Sequence, residues 1–231
     1  MLVSDTESEP LSDEADEAEQ PSVPDPARAQ QRLDDLLADL RHEFPKFRIV
    51  RKDSSRLQRT LHYAMVIATF GRVRDYLDEY YNTVGATIYV TSEWPDKDPD
   101  DCYVLLRHER EHMRQFRRYT SVGMMLLYWL APVPFGLAYF RARFEKAGYE
   151  QTVRASAEVY GLDYVKDASF REFVVEQFTT VNYGWMWPFR NGMEAWYDQI
   201  VDDIEQSGAY ALEAEVGPLE EFSIEVPEIH L

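Results

Sequence analysis

The sequence predicts an α+β fold, mostly helical, with a small β-sheet beside the helices. Three observations carry this. Apolar residues recur at three- and four-residue spacing through most of residues 28–207, the period of helices with one buried face. Two short runs, Phe47-Arg48-Ile49-Val50 and Thr87-Ile88-Tyr89-Val90-Thr91, are rich in β-branched and aromatic residues and read as strands. Hydrophobic residues make up 45% of the 231 positions, enough for one domain with a sizeable core.

Taken in order, residues 1–27 are mostly Ser, Pro, Ala and acids, and are expected to be a disordered tail. A helix follows Pro26 and runs to about His42, with Leu33, Leu36, Leu37 and Leu40 on one face. The first strand comes next. Ser54 or Ser55 can cap a helix reaching about Phe70, and a further helical piece spans Arg72–Tyr81. The second strand follows Gly85.

Asp98-Pro99-Asp100-Asp101 then reads as an N-cap, a proline at the first helical position and carboxylates in the first turn. Arg117 and Arg118 suit the other end, and Gly123 can stop the helix. The spacing predicts a helix over about 98–120. Tyr119–Phe140 is uncharged, but Pro132 and Pro134 cut it into pieces too short to span a membrane. It is expected to be a buried helix-turn against the preceding helix. Helix returns from Ala138 to about Tyr160, with Gly161 as its stop. Another helix is capped near Asp167 or Ser169, an aromatic loop covers 182–189, and a last helix is capped by Asn191. Residues 208–231 form a second acidic tail.

The net charge of −18 is concentrated at the ends. Residues 1–27 hold nine acids and no base, residues 198–231 hold ten acids and no base, and the body between them is near neutral. Phosphates would repel such tails, which argues against nucleic acid as a partner. The single cysteine, Cys102, excludes an internal disulfide and a Cys-rich zinc site. The N-terminus lacks a basic and an apolar segment of the secretory kind, so a cytoplasmic location is expected, with a virion-associated one as the alternative.

The chemistry lies in His108-Glu109-Arg110-Glu111-His112, an H-E-x-x-H sequence inside the 98–120 helix. Residues four apart stand one turn above each other on a helix, so two imidazoles can meet one metal ion. Glu109 lies about 60° round from His112, within reach of a water on that metal. Zinc suits imidazole and brings the pKa of a bound water near 7, where a carboxylate can take its proton. The same residues fit the inverted pattern H-x-x-E-H, with Glu111 as base; Glu109 is preferred.

A catalytic zinc takes three protein ligands. Gln115 and Arg118 occupy the positions where a glycine and a third histidine would extend the motif. His42, His62 and His230 lie far from it in sequence. Glu145 is the expected third ligand, because its helix returns directly after the uncharged connection and can lie antiparallel to the first. Glu150 and Glu158 are the alternatives. Ala147 and Gly148 are small enough for close helix approach. Tyr149, one turn on from Glu145, can support a ligand or polarise a carbonyl.

H-E-x-x-H followed by Glu145-x-x-Gly148-Tyr149 on a second helix resembles the gluzincin metallopeptidases. Arg141–Glu150 and the later Tyr183-Gly184-Trp185-Met186-Trp187-Pro188-Phe189 resemble predicted metallopeptidases of bacteriophage and prophage genomes. The resemblance covers roughly 40–190. It implies a zincin-like core with a small sheet next to the H-E-x-x-H helix. It also implies Zn2+ held by His108, His112 and Glu145, with Glu109 as general base acting on a peptide or protein substrate. The chain departs from the commonest second motif in having Ala147-Gly148-Tyr149 where Glu-Ala-Asp is frequent. In many zinc peptidases an edge strand beside the motif helix holds the substrate extended, and 87–91 is the candidate for it, or else an ordinary strand. The alternative function is a catalytically idle zinc-binding structural or interaction protein, phage-associated. Arg107, Arg110, Arg114 and Arg118 predict a basic stripe, either solvated or covered by an acidic tail.

Overall fold

A computed structural model describes residues 25–52, 81–120, 123–124, 139–180, 186–187 and 189–210. It is mostly helical, with one small sheet. The elements are α1 (Pro26–Glu43), β1 (Arg48–Arg51), β2 (Asn82–Val84), β3 (Thr87–Val90), α2 (Pro99–Tyr119), α3 (Tyr139–Tyr160), α4 (Leu162–Lys166), α5 (Ala168–Thr179) and α6 (Arg190–Ser207). The helices expected over 54–70 and 72–81 lie outside the described residues, as do most of the uncharged run after Tyr119 and much of the aromatic loop. Among the described residues no helix is long and apolar enough to cross a membrane.

The caps act as the residues dictate. Asp25 accepts from the Ala27 amide and Asp98 from the Asp100 amide, so each carboxylate satisfies an orphan N–H at a positive helix end. Asp167 does the same for Ser169 and Phe170 at the start of α5. Two boundaries differ from expectation. Helix α1 begins at Pro26, inside the segment read as tail. Helix α6 begins at Arg190, so Asn191 lies within it rather than capping it; Arg190 is drawn into the first turn by Glu172 and Glu194.

The sheet order is β1-β3-β2, with β1 parallel and β2 antiparallel to β3. β3 is therefore the central strand and not an edge, so of the two readings of 87–91 the ordinary sheet strand is the one that holds. The edge beside α2 is β2, a three-residue strand the sequence reading missed. Gly85, at φ +64°, turns β2 into β3 through a conformation that side chains disfavour.

Two apolar cores share α3 as a common wall. Leu33, Leu36 and Leu40 of α1, with Phe44 just after it, meet Ile88, Val90, Leu106 and Met113 on the sheet side. Val153 and Ala157 of α3 meet Val174, Phe178, Met193, Tyr197 and Ile204 on the other. Helices α2 and α3 run antiparallel: Asp101 meets Tyr160, Arg107 meets Glu158, and Gln115 meets Phe144.

Candidate metal centre

Helix α2 projects His108 and His112 from successive turns toward α3. Their Nε2 atoms stand 3.1 Å apart. Glu145 of α3 is buried, and its Oε2 lies 3.6 Å from each of those nitrogens. Zinc ligands of this kind sit at about 2.0–2.1 Å, and a triangle with these edges has a point about 2.0 Å from all three corners. Among the described residues this is the one group of three or more His, Cys, Asp or Glu side chains able to converge on an ion.

The outer side of each ring is also occupied. His108 Nδ1 lies 3.0 Å from Thr152 Oγ1, and His112 Nδ1 lies 3.0 Å from Gln115 Oε1. Both rings therefore turn Nε2 inward. The donor set suits a small cation: two imidazole nitrogens and a carboxylate oxygen face one another closely enough to share one. The electrostatics agree. Burial disfavours charge on His112, but Glu145 outweighs it and holds the imidazole well above its usual pKa. Burial likewise opposes the Glu145 charge, and the two imidazoles outweigh it and hold that carboxyl well below the carboxylate range.

Gly148 makes the approach possible. A Cβ there would lie 2.7 Å from His108 Nε2 and 2.8 Å from its Cε1. Of the two small residues in the second motif, Gly148 is the one beneath the imidazole. Tyr149 is buried and stands edge-on to His108, with ring centres 4.9 Å apart, and packs on Phe178 behind. Its ring holds the imidazole from the helical side.

Glu109 is buried between α2 and the sheet, where its Oε2 accepts from the Thr83 hydroxyl at 2.7 Å. Its charge is felt by His112. Glu111, the base of the inverted pattern, faces Arg114 at 3.6 Å instead. The alternative third ligands are engaged elsewhere: Glu150 with Arg154, and Glu158 with Arg107 and the Tyr103 hydroxyl. Burial pushes the Cys102 thiol up to about 11, so it stays protonated and inert at neutral pH.

The basic stripe is not bare. Glu43, at the end of α1, accepts from Arg110 Nε at 2.7 Å and Arg114 Nε at 2.8 Å, and Arg117 approaches at 3.5 Å. Arg107 is taken by Glu158, and Arg118 lies over the Tyr119 ring. Glutamates of the folded body fill a role that the sequence reading gave to solvent, while the acidic-tail alternative concerns residues mostly outside those described.

Sequence reasoning missed Thr83, Gln115 and Thr152. Gln115 carried a usable signal, since a side chain three residues after a helical histidine can reach that ring. Thr83 and Thr152 carried none, because their contacts depend on the packing of separate elements. The chain matches no known protein family, no curated protein and no solved structure.

Proposed function

We propose that the chain is a zinc-dependent metallopeptidase of the gluzincin type, with a zincin-like core formed by the sheet, α2 and α3. One observation carries the reading: two imidazoles from one helix and a carboxylate from its neighbour converge on a common point. A zinc ion bound there would supply Lewis-acid polarisation of an amide carbonyl and would acidify a water in its open position. His108, His112 and Glu145 would hold the ion. Glu109 takes the proton of the attacking water and passes it to the leaving amine. The Thr83 hydroxyl occupies Oε2 of that base, leaving Oε1 to carry the proton. Tyr149 steadies His108 from behind. The β2 edge offers main-chain groups along which an extended peptide can align.

Metal analysis of the purified chain, followed by hydrolysis of a peptide library, tests this. Glu109→Gln is expected to keep zinc and lower turnover by about 10²–10⁴. His112→Ala is expected to lose the zinc itself. Full hydrolysis by Glu109→Gln of a confirmed substrate would remove the assignment. A second reading, an idle zinc-binding structural protein, draws on the burial of Glu109 and Glu145, since structural zinc sites are closed. Bound zinc with no turnover of any peptide would select it.

A further inference from the structure

We infer that Gln115 and Thr152 are positioning residues: they turn the Nε2 lone pairs of His112 and His108 toward Glu145 through two relays that both end on main-chain carbonyls of α3. The inference rests on the zinc-site reading above and adds to it the groups that set the histidine tautomers.

The direction of each relay follows from what its last atom can do. The carbonyl of Phe144 can only accept. Gln115, which is buried, lies 3.1 Å from it through Nε2, so the amide NH2 must face that carbonyl. Gln115 Oε1 then faces His112 Nδ1 and must accept. Nδ1 therefore carries the hydrogen, and the Nε2 lone pair points into the site. The second relay runs the same way. The Thr152 hydroxyl gives its one hydrogen to the Gly148 carbonyl at 3.4 Å, and its oxygen accepts from His108 Nδ1. Phe144 and Gly148 stand on either side of Glu145 in the same helix. The helix that carries the third donor thus also sets the tautomers of the other two, so all three depend on one helix register. Neither relay contains a carboxylate, which leaves Glu145 as the negative ligand closing the triangle and keeps more of the ion's charge available to polarise a carbonyl.

Zinc binding to the full chain, read by competition with a chromophoric chelator, tests the inference without any substrate. Gln115→Leu and Thr152→Val are each expected to weaken zinc binding by about 10–100-fold. Thr152→Ser keeps the hydroxyl and is expected to restore it. Gln115→Glu keeps an acceptor for His112 but loses the donor to Phe144; it should bind zinc close to the wild-type level while melting lower. Imidazole 15N spectra of the zinc-loaded chain should place hydrogen on both Nδ1 atoms. Wild-type affinity in both Gln115→Leu and Thr152→Val, no rescue by Thr152→Ser, or zinc on Nδ1 would each overturn the inference. A wild-type chain that binds no zinc would instead overturn the metallopeptidase reading beneath it.

Discussion

The two cores are built alike and fastened differently. Each is a set of mostly aliphatic and aromatic side chains against α3. On the sheet side, α1 is then clasped to α2 by a part-buried cluster in which Glu43 and Arg110 keep only 17% and 21% of their side-chain exposure. On the helical side the ion pairs lie outside. Arg171 and Asp198, which join α5 to α6, are 31% and 55% exposed. Exposed pairs contribute little because water screens them and ordering two long side chains costs entropy. The lesson is that charge matters to where α1 sits and hardly matters to the α5–α6 packing. The candidate site lies at the seam, with its histidines on α2 and its carboxylate on α3.

The hardest blow to this contrast would fall on the helical core. Phe178→Ala should cost about 3–5 kcal/mol, since Phe178 is fully buried and its removal leaves a cavity. Thermal melting should show the loss, unchanged by added salt. Gly148→Ala separates site from fold. In a helix interior it removes a glycine penalty of about 1 kcal/mol, which offsets part of the cost of about 1–3 kcal/mol for crowding the imidazole, so stability should change little. Yet the new methyl displaces His108, and zinc affinity should fall by about 100-fold.

Glu43→Gln should cost about 1–2 kcal/mol, a discounted value for a part-buried cluster, while Asp198→Asn should cost under about 0.5 kcal/mol. Burial raises the Glu43 pKa, but Arg114 and Arg110 outweigh it and leave the pKa below the ordinary carboxylate range. Its contribution is therefore full above that range and lost as pH falls toward the lowered value. Denaturant melts across the acid range should show a flatter pH dependence for Glu43→Gln than for the wild type. The last effect is read on turnover rather than on stability, at Thr83. Thr83→Val should leave zinc affinity unchanged and lower turnover by about tenfold, the worth of one hydrogen bond to a carboxylate, with Thr83→Ser restoring it.

How much could be read in advance follows from how local each feature is. Asp98 and Asp167 announce their helices because a cap is decided within a few residues. His108 and His112 are visible as a pair because helix periodicity alone sets their spacing. Glu145 can be proposed because the α2–α3 connection suggests an antiparallel return. β2 escapes, being three residues long with no alternation to detect. Glu43 also escapes as the partner of the arginines: it lies 67 residues from Arg110, and nothing nearby in sequence joins them. Thr83 and Glu109 meet across 26 residues for the same reason.

Glu145, Gly148 and Thr152 form a ladder on α3 with rungs three and four positions apart, while Val153 and Ala157 serve the wall behind. One residue inserted after Lys146 would swing everything beyond it through about 100° and slide it about 1.5 Å. The glycine would leave its imidazole and the threonine its ring nitrogen, although no side chain had been deleted. Lineages descended from this chain should therefore tolerate length changes in the joints between rods, while the stretch from Glu145 to Thr152 keeps a constant count.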